Sequence, residues 1–363
     1  MKAQVILCCG SGGVGKTTIS AALGLKWAME GAKVAVITID PARRLADSLG
    51  LDTLDHEPRP VDLPGPRTTD GHLDALVIDM RATFDDMVTR MAPSSEAVER
   101  ILGNRYYQFT STRLAGVHEY MALELLLRLW TRQGDEAYDV IVLDTPPTRH
   151  ALDFLEAPRK LLSLMDDGVL KWLMLPSERG GWRALELGSE AVTRVLRKLA
   201  GRGTIGEIAE FFESFRGTWD RLRDRSNEAM ELLNDPMTQA LLITTPAPRA
   251  REEALFFLNL LEERGLRFSG FIVNRAVLPA AEGFDPDEIP ERDGAVRSTL
   301  VEAVRLHRDN ANAHRKAISA LREQAPEGTV TWCVPQQQHE LHHVEGLLSL
   351  LEHLPDCPDQ PAT

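Results

Sequence analysis

Short apolar runs alternate with amphipathic stretches along the first half of the chain. The runs have the length and continuous hydrophobicity of strands buried on both faces of a sheet; they are residues 5–9, 33–39, 73–80 and 138–143. The stretches between them carry apolar positions at helical spacing; they are residues 16–30, 84–102 and 120–130. This alternation predicts right-handed βαβ units and a mainly parallel sheet flanked by helices.

A different pattern runs from residue 158 to residue 236, where no strand is evident. Its apolar positions recur at helical spacing, most clearly in residues 208–233, which include Phe211, Trp219 and Met230. Sheet and helix patterns then resume; the strands are residues 241–244, 268–273 and 329–334, and the helices are residues 251–264 and 296–323. We therefore expect an all-helical insertion within an α/β domain.

The expected domains follow from this change of pattern. One discontinuous α/β domain comprises residues 1–157 and 237–355, the helical insertion comprises residues 158–236, and residues 356–363 form a flexible tail. A chain of 363 residues is long enough for one large domain with such an insertion.

Charge and composition disfavour several classes of function. The chain has 54 acidic and 41 basic residues, and its net charge of −13 repels the phosphate backbones of nucleic acids. Its four cysteines lack the C-x-x-C spacing of a zinc site, and no run of about 18 apolar residues offers a membrane span. The first residues lack the pattern of a signal peptide, so we expect a cytoplasmic protein with reduced thiols.

Candidate chemistry begins directly after the first predicted strand, where residues 10–18 read GSGGVGKTT and match G-x-x-x-x-G-K-T. Glycines allow backbone amides to surround an anion, and the following helix directs its positive end at phosphates. Lys16 adds a charge at the β- and γ-phosphates, and the Thr17 hydroxyl is a candidate Mg²⁺ ligand. The predicted ATP-binding residues of this loop are Gly10, Ser11, Gly12, Gly13, Val14, Gly15, Lys16, Thr17 and Thr18.

Two carboxylates extend this site. Asp40 and Asp144 each follow a predicted strand, and the carboxyl ends of parallel strands lie at the same edge as the phosphate loop. Asp144 fits a water-mediated contact to Mg²⁺, and Asp40 fits a residue that orients the attacking water. We take Lys16, Asp40 and Asp144 as candidate catalytic residues, and both carboxylates with Thr17 as candidate metal ligands. Each Asp, taken alone, also fits a helix N-cap or a turn.

Other strand ends carry weaker signals. Asn274 follows a predicted strand with an amide that suits an adenine base, and Pro335 would form the opposite wall; both also fit ordinary turns. Arg149 and His150 follow Asp144 in a segment that could sense the γ-phosphate. They fit catalytic side chains and solvated loop residues about equally.

Six features occur in a fixed order: the loop GSGGVGKTT, IDPARRLADSLG at residues 39–50, LDTPPTRHALDFL at residues 143–155, the helical insertion, IVNRAV at residues 272–277, and VPQQQHELHHVEGL at residues 334–347. Together they resemble the ArsA-type anion-transporting ATPases, a family that includes the ATPases that escort tail-anchored membrane proteins. The resemblance implies a homodimer that closes around two ATP molecules, with the helical insertion as the client site. It also implies Thr17 on Mg²⁺, Asp40 as the water-activating residue, Asp144 in the second switch and Asn274 at adenine.

The chain departs from the family pattern at Ser11, where the family has a lysine that reaches the partner's nucleotide. Arg43, Arg44 or Arg149 is a candidate replacement for that charge. The zinc-binding C-x-x-C of the eukaryotic members is missing. No cysteine cluster offers soft ligands for arsenite, which disfavours an arsenite-pump role.

These observations predict a Mg²⁺-dependent ATPase that couples hydrolysis to binding and release of a protein client. An apolar helix would suit a groove built from the aromatic and methionine side chains of residues 208–233, although these also fit a subdomain core or a dimer seam. The alternative is a nucleotide-switched positioning or scaffold protein of the ParA/MinD kind, disfavoured by the acidic charge and the short, non-basic C-terminal helix. A biosynthetic kinase or amidoligase of the same superfamily is a third, weaker candidate for the function. We expect no nucleic-acid partner, no stable membrane insertion and no zinc.

Overall fold

The computed structural model describes residues 2–40, 42–65, 70–104, 117–166, 218–279, 294–337, 341 and 343–358. Contacts among Cα atoms divide the chain into two compact units. The first comprises Met1–Val77, Leu129–Ala151 and Asn234–Thr363, and the second comprises Ile78–Arg128 and Leu152–Leu233.

The first unit contains an eight-stranded sheet with the order β3-β4-β2-β5-β1-β6-β7-β8. Its strands are β1 Gln4–Cys9, β2 Lys33–Thr38, β3 Arg59–Pro60, β4 His72–Val77, β5 Val140–Asp144, β6 Thr238–Thr244, β7 Arg267–Ala276 and β8 Val330–Pro335. Every neighbouring pair is parallel except β3 with β4. The prediction of a mainly parallel sheet is therefore confirmed, with the two-residue β3 as its antiparallel edge strand.

The helices, in chain order, are α1 Lys16–Met29, α2 Arg44–Leu49, α3 Met80–Met91, α4 Ser95–Leu102, α5 Val117–Trp130, α6 Thr148–Asp166, α7 Trp219–Asn234, α8 Pro248–Arg264, α9 Gly294–Glu323 and α10 His343–Leu347. Short 3₁₀ helices occur at Gly134–Glu136 and Leu348–His353. The sequence pattern did not predict α2. The expected domain boundary at residue 158 falls inside α6, which contains Pro158, and the division into domains stays a prediction. No helix in the described ranges is long and apolar enough to cross a membrane.

The centre of the sheet shows why continuous apolar runs became strands. All six residues of β1 are buried, because β5 and β6 pair with it on either side. Ile6 and Cys8 of β1 belong to one core cluster with Leu23 and Trp27 of α1. A residue buried on both faces of a sheet gains most from an apolar side chain, at roughly 25 cal/mol per Å² of apolar surface removed from water.

The C-terminal segment is anchored to the outer side of α1. Leu350 and Leu354 belong to the same core cluster, and the Trp27 indole donates to the carbonyl oxygen of Pro355 at 3.0 Å. Lys26 pairs with Asp356 at 2.8 Å. The tail expected at residues 356–363 thus begins beside α1, and residues 359–363 lie outside the described part of the chain.

The second unit contains α3, α4, α7 and most of α5 and α6. Its buried Glu124 pairs with Arg225 at 2.8 Å and with Arg90 at 3.4 Å, so the one carboxylate faces two guanidinium groups. The helical pattern predicted at residues 208–233 is confirmed for residues 219–233, where α7 buries Leu222, Leu232 and Leu233. Residues 167–217, with the rest of the predicted insertion, lie outside the described residues.

Candidate functional site

Register in the parallel sheet brings several polar residues to one edge. Asp144, the last residue of β5, lies opposite Cys8 of β1 and opposite Thr38 of β2. The phosphate loop follows β1, and Asp40 follows β2 by two residues. Because the carboxyl ends of parallel strands meet at one edge, these groups are neighbours although 136 positions separate Cys8 from Asp144.

The phosphate loop needs glycine at two positions for different reasons. A Cβ on Gly10 would lie 2.1 Å from the carbonyl oxygen of Ile243, so the close approach of β6 excludes any side chain there. Gly15 has φ of 91°, in the left-handed region, and directly precedes α1. Gly15, the N-cap of α1, has no side chain that could cap the first turn, and that turn contains no acidic residue. Its amides and positive end are therefore suited to an anion.

Lys16 is nearly buried at the base of this loop, with 8% of its surface exposed. Its Nζ donates to the carbonyl oxygens of Gly10 at 3.1 Å and Ser11 at 3.0 Å. Burial lowers the pKa of the ammonium group, and the nearby Asp144 carboxylate opposes that change. A polyphosphate would supply the negative charge that this buried cation lacks.

Two hydroxyl groups hold the Asp144 carboxylate. Thr17 Oγ1 donates to Asp144 Oδ2 at 2.6 Å, and Thr38 Oγ1 donates to the same oxygen at 2.9 Å. The other oxygen, Oδ1, is buried and has no hydrogen-bond partner in the described residues. Burial raises the pKa of Asp144 despite these two hydrogen bonds and Lys16. A buried carboxylate with one free oxygen beside a threonine hydroxyl fits a hydrated Mg²⁺.

Asp40 lies farther out, in the turn between β2 and α2. Its Oδ1 accepts from the Ala42 amide at 2.9 Å, and its Oδ2 pairs with Arg44 at 3.4 Å. Arg43 instead donates to the carbonyl oxygen of Asp52. The two adjacent arginines therefore differ, since only Arg44 is directed at the carboxylate proposed to act on water.

Asn274 connects β7 to the phosphate loop. Its Nδ2 donates to the Val14 carbonyl oxygen at 2.8 Å, and its Oδ1 accepts from the Arg275 amide at 2.9 Å. Both ends of the amide thus have partners within the chain, and its contact with adenine stays a prediction. Arg275 adopts φ of 58°, which is uncommon for a residue with a side chain.

A cavity of about 1100 Å³ lies at this edge of the sheet. Most of the predicted site residues line it; they are Gly12, Gly13, Gly15, Lys16, Thr17, Thr18, Asp40, Asp144, Asn274 and Pro335. Three predicted residues of the loop do not line the cavity, and all three are buried: Gly10, Ser11 and Val14. The side chains of Arg149 and His150 lie outside the described residues, as does Pro41.

Sequence reasoning missed other residues that line the cavity. Asp47 and Ser48 belong to α2 beside Arg44, and Leu350 comes from the C-terminal 3₁₀ helix. The signal for α2 was present, because Gly50 follows it as a left-handed C-cap with φ of 68°. Nothing local in the sequence indicated that Arg275 would reach the cavity wall.

Comparison with known proteins adds independent information. A sequence model of the family described as anion-transporting ATPase matches residues 3–295. The chain is 28% identical over 295 residues to "Putative arsenical pump-driving ATPase 1" of Aquifex aeolicus, covering 76% of this chain and 63% of that protein. It is 27% identical over 274 residues to "Putative arsenical pump-driving ATPase 2" of the same organism, covering 74% and 79% respectively.

A fungal relative matches a shorter stretch. The chain is 29% identical over 221 residues to "ATPase get3" of Aspergillus terreus, covering 61% of this chain and 59% of that protein. The chain thus spans less than two thirds of the length of this relative and of the first Aquifex protein.

Proposed function

This chain belongs to the anion-transporting ATPase family, and from that premise we propose that it binds ATP with Mg²⁺ at the phosphate loop and hydrolyses it. The observation that carries the proposal is the Thr17–Asp144 hydrogen bond of 2.6 Å in a cavity that Lys16 and Asp40 also line. The proposal is supported because one edge of the sheet carries a loop suited to an anion, a cation, a threonine–carboxylate pair suited to a metal, and a second carboxylate.

The donor set fits Mg²⁺, a hard cation that prefers oxygen ligands and keeps several waters. Thr17 would hold the ion directly, and Asp144 would hold one of its waters through the free Oδ1. When bound, the ion would neutralise charge on the β- and γ-phosphates and orient the γ-phosphate for in-line attack. Asp40 was also predicted as a metal ligand. Its position farther out and its ion pair with Arg44 instead favour the task of orienting the attacking water.

The protein side chains then have distinct tasks. The Lys16 ammonium would exchange its two carbonyl partners for phosphate oxygens, which restores the charge stabilisation that burial removes. The Asp40 carboxylate would orient a water molecule toward the γ-phosphate. General-base assistance of this kind typically contributes about 10²–10⁴-fold in rate.

Arg44 is the candidate for the charge that Ser11 does not supply. Its guanidinium contacts Asp40 and it lines the cavity, whereas Arg43 does neither in the described structure. Negative charge on an incoming γ-phosphate would compete with Asp40 for this cation. Arg44 would then stabilise the phosphoryl group while Asp40 becomes free to accept from water.

We extend the proposal to assembly and partners at the level of the family. Two copies would close around two ATP molecules and open after hydrolysis, and this movement would control binding of a protein client by the helical insertion. Two of the relatives are named arsenical pump-driving ATPases and one is named ATPase get3, so these names support either role. The cysteines disfavour the arsenite-linked role, since Cys8 and Cys9 are buried and burial raises the pKa of Cys9 to about 12.

The test combines turnover with assembly. Phosphate release is measured from ATP with Mg²⁺ and with EDTA, and light scattering gives the mass with ATP and with ADP. We expect Mg²⁺-dependent release and a dimer whose compactness changes with ATP. Absence of release would reject the enzymatic proposal, and nucleotide-independent mass and shape would reject the switching dimer.

A further inference from the structure

A second cavity of about 780 Å³ lies beside β6 and β7, separate from the phosphate loop. The turn at Thr245–Pro248, the side chain of Arg251 and one face of α9 form most of its wall. Arg275 lines this cavity as well as the first one. The second cavity therefore opens at the same edge of the sheet as the first.

The charge of this cavity is opposite to that of the chain. Three cationic side chains line it, namely Arg251, Arg275 and Lys316, and no described Asp or Glu does. In a chain of net charge −13, such a concentration makes a locally positive cleft, which attracts anions.

These cations also lack the carboxylate partners that other arginines of the chain have. Arg249, one half-turn before Arg251 on α8, pairs with Glu253 at 3.1 Å. Within the described ranges, by contrast, no carboxylate pairs with Arg251, Arg275 or Lys316. Among the described residues, the Arg251 guanidinium makes one long contact, of 3.4 Å, to the Ala317 carbonyl oxygen. The positive charge in the cavity is therefore uncompensated.

His314 offers a further donor. The Val277 amide donates to its Nδ1 at 2.9 Å, so the neutral imidazole carries its proton on Nε2. The remaining wall is apolar and small, formed by Pro246, Pro248, Ala313, Ala317 and Ala320. The volume lies within the range of about 300–1,000 Å³ that is typical of small-molecule sites.

The geometry points to a binding site for a small organic anion, with the oxyanion held by Arg251 and Lys316 and an apolar body lying on the alanine and proline wall. A phosphate, sulfonate or carboxylate supplies the required charge, and an acyl or aromatic group supplies the body. Inorganic anions would satisfy the cations and leave the apolar wall exposed to water.

The test uses the full chain saturated with Mg²⁺ and ADP, so that the first cavity is occupied. Anilinonaphthalene sulfonate is titrated by fluorescence and then displaced with octyl phosphate, octanoate or uncharged octyl glucoside. We expect a saturable component of dye binding that both octyl anions displace and that octyl glucoside does not displace. The more effective anion indicates whether phosphate or carboxylate is preferred.

Variants connect this component to the cavity. Arg251→Gln with Lys316→Gln should weaken it by roughly tenfold for each charge-assisted hydrogen bond lost, while Arg249→Gln on the same helix should not. Lys316→Gln alone serves if the double variant does not fold, because Lys316 is exposed. Unchanged binding in the cavity variants, equal loss with Arg249→Gln, or displacement by octyl glucoside alone would overturn the proposal. ATP turnover of the variants is expected to be unchanged, so failure here is separate from failure of the ATPase proposal.

Discussion

The Nδ2 atom of Asn274 occupies the space where a side chain on Gly15 would begin, 2.3 Å from the ideal Cβ position. The same nitrogen donates to the carbonyl oxygen of the preceding Val14 at 2.8 Å. The end of β7 thus holds the phosphate loop in its curled form through a single amide. Glycine at position 15 satisfies both this contact and the left-handed backbone.

Replacing Gly15 with alanine tests this contact. The substitution introduces left-handed strain of about 1–2 kcal/mol and also displaces the Asn274 amide from Val14. We expect the affinity for a fluorescent ATP analogue to fall by more than the backbone strain alone would cause.

Gly65→Ala is the matched control. Gly65 has φ of 84° and no atom of the described residues within 4 Å of its ideal Cβ, so a side chain there meets backbone strain and no clash with them. Its variant should lose stability and retain nucleotide affinity. Equal nucleotide affinity in the two variants would contradict the role given to Asn274.

The Asp144→Asn substitution should separate function from stability. Loss of the carboxylate beside Thr17 removes the anchor for the hydrated metal, and we expect turnover to fall roughly a hundredfold or more.

The pKa of Asp144 is raised by burial, so the folded chain binds that proton more tightly than the unfolded chain. The associated stabilisation is present at low pH and is lost as pH rises through the folded pKa, which makes the ionised form destabilising at neutral pH.

The nucleotide-free Asp144→Asn protein should therefore have a higher midpoint of thermal unfolding than wild type at neutral pH. Differential scanning fluorimetry without nucleotide measures it. Asp40→Asn serves as the comparison, because Asp40 is not buried and its side chain pairs with Arg44. A lower midpoint for Asp144→Asn would show that the ionised carboxylate is net stabilising, which contradicts a raised pKa for Asp144.

Arg44 and Arg43 form a natural pair for mutagenesis. Arg44→Ala should reduce turnover roughly 10- to 100-fold with little change in ADP affinity. The variant loses the positive charge that would stabilise the negative charge on the phosphoryl group during its transfer. Arg43→Ala should leave turnover near wild type, since Arg43 donates to the Asp52 carbonyl oxygen outside the cavity. Steady-state kinetics on both variants decide the point, and equal effects would remove Arg44 from its assigned role.

The sequence predicted the sheet well because its strands are buried on both faces. The continuous apolar runs around Val5, Val34 and Ile141 leave little ambiguity, and the alternation with helices implies parallel pairing. The loop residues from Gly12 to Thr18 and the two carboxylates were predictable for a related reason, since strand ends in a parallel sheet share one edge.

Other features depend on distant contacts and could not be predicted locally. One such feature is the burial of Ser11, a residue of the loop whose carbonyl oxygen accepts from Lys16. The different directions of Arg43 and Arg44 follow from the short α2, and the anchoring of Pro355 to Trp27 joins residues 328 positions apart. The second cavity likewise combines residues from the turn after β6 and from β7, α8 and α9, for which no sequence motif exists.

The central claim is that this cavity hydrolyses ATP through water oriented by Asp40. The most direct measurement compares phosphate release by wild type and Asp40→Asn at saturating ATP and Mg²⁺, with affinity for a fluorescent ATP analogue measured in parallel. We predict Mg²⁺-dependent turnover in wild type and a loss of about 10²–10⁴-fold in Asp40→Asn at nearly unchanged affinity. The account would be contradicted if Asp40→Asn retained the turnover of wild type. It would also be contradicted if wild type bound ATP tightly and did not hydrolyse it.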